Sequence, residues 1–434
     1  MADKIAYFWF RRDLRMEDNC GLYHALKSGF KIIPVFIFDT EILEDLKDKK
    51  DARVSFIHAA VSQLKKELNN AGTDIIILHE KPQKAWEELL LKKPAAAIYT
   101  NADYEPYAIK RDNMVGEIAK KHGCSFLTFK NQVIMEPGQV LKDDGTPYTV
   151  FTPFLKKWKS VLNDEDLNPF TTTHLMGNFY PLINETIPSL KTLGFTKSEI
   201  TLPEPFVDIE KISHYADKRD IPSANGTTHL SIHLRFGTVS VRELFRIGLP
   251  VSEKWTNELV WREFYMHILF FFPHVVTGAF KTQYDKIEWR NNALEFETWC
   301  EGKTGYPIVD AGMRELNETG FMHNRVRMIV SSFLTKHLLI DWRWGEAYFA
   351  EKLLDYELSS NNGGWQWAAG CGVDAAPYFR IFNPTLQTQK FDPELKYIRK
   401  WVPELNTLKY PNPIVDHAFA RNRCLEVYKR CMAN

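Results

Sequence analysis

Asn361 to Trp367 reads NNGGWQW: two amides and two glycines, then a glutamine between two indoles. Amide side chains both donate and accept, indoles are planar and readily oxidised, and glycine permits approaches that a Cβ blocks. The set suits a planar, redox-active ligand, and equally a glycine-containing turn with Trp365 and Trp367 as core filler. Glu258, Trp261, Arg262 and Tyr265 are spaced i, i+3, i+4, i+7, so on a helix they share one face. An acid, an indole and a guanidinium there make either a recessed polar site or a solvated amphipathic face. Asn324, Arg327 and Met328 repeat the spacing in HNRVRM, with Arg325 facing elsewhere; Met328 serves equally as a gap-filler. In GTTHLS, Thr227, Thr228 and Ser231 bring hydroxyls and amides to the start of a helix, which is an anion site or ordinary N-capping.

These residues need a scaffold. The 434 residues suffice for two or three structural units of about 150 residues each. Up to residue 130, short apolar runs at Ile5–Phe10, Lys31–Asp39, Asp74–His79, Ala95–Thr100 and Cys124–Phe129 alternate with helical patterns. That predicts an α/β domain with a five-stranded parallel, Rossmann-like sheet. The first strand leads into RRDLR and not into a glycine-rich fingerprint, so no dinucleotide pyrophosphate is expected there. Arg11, Arg12 and Arg15 instead fix a domain interface, rim a small ligand, or form a solvated charged turn. Residues 131–195, rich in Pro, Asn, Asp and Thr, form a connector. Residues 196–434 are helical, down to a final helix around Ala418–Lys429, with no long signalling tail. Nine of the twelve tryptophans fall between Trp255 and Trp401, which concentrates the chemistry there.

Lys+Arg and Asp+Glu both number 55, so a nucleic-acid partner requires a local basic patch and not a global field. Six cysteines show neither a C-x-x-C pair nor metal-ligand spacing with histidine, and the chain opens on charges, which indicates a reduced cytoplasmic protein without a metal. The strongest apolar run, Phe264 to Val276, is interrupted by His267, Pro273 and His274, too short for a membrane span.

WTNELVWREFY (Trp255 to Tyr265), TGYPIVDAGMRELNETGFMHNRVRM (Thr304 to Met328), LLIDWRWGEAYF (Leu338 to Phe349), DAAPYFRIFNPTLQTQKFD (Asp374 to Asp392) and FRRDLRMEDN (Phe10 to Asn19) together resemble the photolyase/cryptochrome family over essentially the whole chain. The likeness is closest to class I cyclobutane pyrimidine dimer photolyases. It implies an all-α FAD-binding domain after the α/β domain, and light-driven repair of dimers in DNA by electron transfer from reduced anionic FAD. By that resemblance Tyr215, Thr227, Thr228, His229, Leu230 and Ser231 grip the FAD diphosphate, although family members often carry Arg where His229 stands. Trp255, Glu258, Arg262, Asn324, Arg327, Asp355, Tyr356, Glu357 and Asn361 complete the cofactor set. Arg327 pairs with Asp355 beside the flavin, where a fixed cation favours the anionic ring. Asn361 faces flavin N5, where plant blue-light receptors carry Asp and many animal ones Cys.

The catalytic set implied is Glu258, Trp261, Asn324, Met328 and Asn361, with Glu258 hydrogen-bonded to a flipped pyrimidine and Trp261 stacked on it. Arg219, Arg262, Tyr265, Asn324, Arg325, Trp367, Arg380, Gln387 and Lys390 complete the DNA-contacting set. Trp365, Trp342 and Trp289 form a path for an electron hole, with Trp344 as a bypass. Two alternatives remain. A (6-4) photolyase typically carries a His pair near the pocket, where Met328 stands here. A cryptochrome-like photoreceptor without repair is disfavoured by Asn361, Glu258, Trp261 and the short carboxyl end. The protein is expected to be a monomer. Relatives hold a second chromophore, a folate or a deazaflavin, in the amino-terminal domain. Glu105 matches a folate contact, but Val276 and Thr277 replace a Cys-Lys pair, so no stable folate is expected.

Overall fold

The computed structural model describes residues 4–433. It divides into two compact units: residues 1–139, 158–207 and 229–250, and residues 140–157, 208–228 and 251–434. The stretch 131–195 is thus shared, with 140–157 in the second unit and the remainder in the first.

In the first unit β1 (Ile5–Phe10), β2 (Lys31–Asp39), β3 (Ile76–Glu80), β4 (Ala97–Asn101) and β5 (Ser125–Phe129) form a parallel sheet in the order β3-β2-β1-β4-β5. Every residue of β1 is buried, as a central parallel strand covered on both faces requires. On one face the indole of Trp86 lies edge-on to Tyr7 and to Trp9, both at 5.5 Å between centroids. The third strand starts two residues later than the apolar run suggests. The carboxylate of Asp74 accepts from the amides of Ile75 (2.8 Å) and Glu185 (2.9 Å), which holds it outside the strand ladder.

The strand order reverses between β1 and β4, and crevices at such reversals take ligands in open α/β sheets. Arg11 and Arg12 follow β1 there, and Asp103 and Glu105 follow β4. Arg12 pairs with Asp103 (3.2 Å) and Glu105 (2.9 Å), Arg235 with Glu105 (2.8 Å), and Arg11 with Asp112. Arg15 donates to the carbonyls of Gly237 (2.8 Å) and Asp18 (2.7 Å). The solvated charged turn is therefore overturned: RRDLR is an internal web of ion pairs and carbonyl contacts.

The second unit is helical. The helix Glu253–Phe271 begins at Ser252, whose hydroxyl accepts from the amide of Trp255. The helix Asn324–Ser332 begins at His323 and runs into a π-helical turn, Phe333–His337. Asp341 caps Trp342–Lys352 in the same way. The helix Leu358–Ala369 packs against all three. The final helix is His417–Ala433. No described helix is long and apolar enough to cross a membrane.

NNGGWQW lies inside the helix Leu358–Ala369, which overturns its reading as a turn. Neither Gly363 nor Gly364 has a positive φ, so the close approach matters and the conformational freedom does not. A Cβ on Gly363 would enter the ring of Tyr265, and one on Gly345 would enter the indole of Trp365. These two glycines let the neighbouring helices close on Leu358–Ala369. Amides fix it further: Asn362 Nδ2 and Gln366 Nε2 both donate to the carbonyl of Val275 (2.9 Å each), and Gln366 Oε1 accepts from the amide of Phe280 (2.8 Å).

Candidate active site

All four residues of the i, i+3, i+4, i+7 face lie on the helix Glu253–Phe271. The carboxylate of Glu258 makes a close ion pair with Arg219. Burial pushes the Glu258 carboxyl above its ordinary range, and Arg219 works against that shift. The indole of Trp261 stacks on Phe151, centroids 3.6 Å apart and planes 10° apart, and tilts against Tyr265 at 5.7 Å. Arg262 is held by Glu357 at 3.3 Å. The face is a recessed polar and aromatic site, not a solvated one. Phe151, absent from the sequence reading, is its back wall.

The helix Leu358–Ala369 brings Asn361 to this region. Asn361 is 9% exposed, and its Nδ2 donates to the carbonyl of Glu346 at 3.0 Å. Glu346, also missed from sequence, is pushed up to about 7 by burial, against the opposing effects of a hydrogen bond from Asn362 and the charge of Arg343. This carboxyl, hydrogen-bonded by Asn362 next along the helix from Asn361, can hold or release a proton near neutral pH. Gly364 and Trp367 leave the same helix on a more open side, Gly364 exposed and Trp367 half-buried.

In the helix Asn324–Ser332, Arg327 reaches Asp355 at 3.0 Å and the carbonyl of Met322 at 2.7 Å. Asn324 is exposed, and Met328 is half-buried. Arg325 does not face elsewhere: its Nη1 lies 3.6 Å from Met328 Sδ, its Nη2 pairs with Asp220 at 2.7 Å, and its guanidinium covers Phe391 at 4.4 Å. Arg219 and Arg325 thus already hold carboxylate partners, whereas Arg380 and Lys390 are exposed and Gln387 is half-buried. Trp255 is buried. Tyr215, under the guanidinium of Arg219 at 5.3 Å, and Tyr356 are half-buried.

The hydroxyl cluster divides between the units: Thr227 and Thr228 end a segment of the second, and His229, Leu230 and Ser231 open a segment of the first. Ser231 starts a short helix whose cap, Leu230, offers no side-chain hydrogen bond, so the capping reading falls. Trp342 (1% exposed) and Trp365 (2%) belong to one core cluster, and half-buried Trp289 packs against it. Trp365 also meets Trp299 edge-on at 6.0 Å; Phe296 links Trp299 (5.8 Å) to Trp344 (5.2 Å).

The donor set fits a polar, redox-active ring system. Two buried oxygens on these helices, Asn257 Oδ1 and Ser359 Oγ, have no partner within the protein. Arg327, on the helix Asn324–Ser332, supplies a cation, and Asn361 a neutral amide. No group of three or more His, Cys, Asp or Glu side chains that could hold a metal occurs among the described residues.

Two family models, curated relatives and solved structures match the chain. Residues 255–409 match the model for the FAD binding domain of DNA photolyase, and residues 6–172 the model for DNA photolyase. A deoxyribodipyrimidine photo-lyase of Synechococcus is 36% identical, covering 98% of this chain and 96% of that one. A class III photolyase from Agrobacterium tumefaciens superposes with a TM-score of 0.86 at 32% identity, covering 100% and 99% of the two chains. An archaeal photolyase from Sulfolobus tokodaii, solved with two FAD molecules, superposes with a TM-score of 0.83 at 35% identity, covering 98% and 99%. This chain belongs to the DNA photolyase family.

Proposed function

We propose that the protein uses blue light to split cyclobutane pyrimidine dimers in DNA, as a deoxyribodipyrimidine photo-lyase with FAD as its cofactor. The observation that carries this reading is the Glu258 face: a half-buried carboxylate paired with Arg219, one helical turn from an indole backed by Phe151, on a helix packed against the one that bears Asn361. Bound FAD in its reduced anionic form supplies the light-driven electron. Trp261 stacks on the flipped dimer, and Glu258 hydrogen-bonds its base edge. Extrusion costs a few kcal/mol, less at a damaged step that stacks poorly. Arg380, Lys390 and Gln387 hold phosphates, so binding weakens with salt. Arg327, anchored by Asp355, favours negative charge on the reduced ring, and Asn361 serves N5 without imposing a proton.

The protein works as a monomer in the cytoplasm, a setting that suits its six free cysteines. The crevice at the β1/β4 reversal is the place for a second chromophore, a deazaflavin in preference to a folate. Glu105 is occupied there by Arg12 and Arg235. The deciding experiment is blue-light repair of an oligonucleotide carrying one thymine dimer, with a (6-4) lesion in a parallel sample. Repair of the dimer alone is expected; repair of the (6-4) lesion alone, or of neither, would sink the reading.

A further inference from the structure

Arg325 is joined to the Glu258 face through one carboxylate. Its Nη2 pairs with Asp220 at 2.7 Å, its Nη1 lies 3.6 Å from the thioether of Met328, a weak acceptor, and its Nε has no partner. The ring of Phe391 carries the guanidinium at 4.4 Å and also lies 5.1 Å from Lys390 Nζ. The same Asp220 oxygen stands 4.0 Å from Arg219 Nε, and Arg219 is held in turn by Glu258 and by the ring of Tyr215 at 5.3 Å. One oxygen thus lies between two guanidiniums.

Asp220 is the outermost member of this group: its side chain is 44% exposed, against 18% for Arg325 and 19% for Arg219. Among the described residues it pairs with no other cation, and it sits in the turn after the short helix Tyr215–Lys218. Each arginine keeps other contacts that hold its place. An exposed ion pair adds little net stability, because either ion regains water when the two part. Here it has a second effect. Asp220 and Glu258 together cancel both guanidinium charges, so this side of the pocket presents no net positive charge to a polyanion.

We propose that Asp220 is an intramolecular stand-in for a DNA phosphate: it fills the oxygen position between Arg325 and Arg219 in the free protein, yields it to the backbone when DNA binds, and returns as DNA leaves. This rests on the reading that DNA docks at the Glu258 face. A phosphodiester and a carboxylate each present one negative charge and accessible oxygens, and a guanidinium fork takes either. The displaced carboxylate enters solvent on the side where it is already open. The exchange keeps affinity for DNA below what the bare cations would give, and it supplies a built-in competitor that helps release the repaired strand.

The test uses full-length protein with its cofactor and two duplexes, one carrying a thymine dimer and one undamaged. Asp220→Asn should tighten binding of both by about three- to tenfold at low salt, with slower dissociation, and the gain should shrink as salt rises. Asp217→Asn removes the same charge from an exposed position nearby and should have far less effect. In an Arg325→Ala background, Asp220→Asn should lose most of its effect. Unchanged or weaker binding by Asp220→Asn overturns the proposal and leaves Asp220 an anchor for Arg325. Equal tightening by Asp217→Asn overturns it too, as a general charge effect. Parent affinity for dimer DNA in Arg325→Ala alone would instead remove the docking reading, and the proposal with it.

Discussion

Trp261 and Phe151 lie face to face, centroids 3.6 Å apart, although 110 residues separate them in sequence. One face of the indole is therefore spent inside the protein, and a base can reach only the opposite face or the edge. Trp261→Ala should weaken binding of dimer-containing DNA by about 1–3 kcal/mol and leave undamaged duplex nearly unchanged. Phe151→Leu should show a smaller loss of the same selectivity. In the double variant the effects should fall short of additive, because Phe151 acts through Trp261. Equal losses on both DNAs would reduce Trp261 to a fold residue.

Glu258→Ala strands Arg219 and, on the proposed role of Glu258 as partner of the flipped base, should cost about 1–3 kcal/mol in lesion binding or repair. Glu258→Gln should recover part of it, while FAD content stays constant. Lesion affinity and quantum yield measured on the three proteins decide; parent values in the Ala variant would mean the pocket is assigned wrongly.

Glu346 gives a pH signature. Its folded-state value, about 7, lies above the ordinary 4.5, so between these values the folded protein binds more protons than the unfolded chain. Stability therefore falls as pH rises through that window and stays lower above it. Glu346→Gln should be more stable than the parent at pH 8, by about 1–3 kcal/mol after allowance for partial exposure, and close to it at pH 4.5. Urea unfolding at the two pH values measures this, and a pH-independent difference would contradict it.

The helical face of Glu258 was legible because a 3.6-residue period survives in sequence whatever packs against it. Phe151 was not, since nothing local in FTPF points to Trp261. Glu346 reads as an ordinary helix acid until tertiary packing buries it. NNGGWQW misled for a physical reason: glycine argues against helix through backbone entropy, yet the space needed by Tyr265 outweighs that cost at Gly363. The parallel sheet was plain from alternating apolar runs, although β3 and β4 each start two residues later than their runs suggest; at Asp74 a side-chain hydrogen bond overrides the pattern. The Arg327–Asp355 pair came from family resemblance and is met at 3.0 Å.

Asn361→Asp places an acid where a neutral amide now donates to the Glu346 carbonyl. Light-driven reduction should then stop after one electron and one proton instead of running to the fully reduced anion. Absorption spectra under illumination report it. Full reduction at the parent rate would remove the basis for preferring a repair enzyme over a photoreceptor.

Trp289→Phe preserves most of the buried area, so stability should change little while photoreduction by an external donor slows. Chemically reduced enzyme should repair normally. Residual photoreduction should disappear when Trp299→Phe is added, because Trp299 touches Trp365 at 6.0 Å and leads through Phe296 towards Trp344. Parent rates in the double variant would exclude both routes.

The loop 275–280 meets Asn362 and Gln366 only through main-chain atoms: the carbonyls of Val275 and Gly278 and the amide of Phe280. Every amino acid except proline presents those same atoms. The grip on the Asn361 helix is thus written almost entirely in two amide side chains. For these hydrogen bonds the loop's side chains are interchangeable, and only the burial of Val275 and Ala279 constrains them, whereas Asn362 and Gln366 are fixed by the bonds themselves.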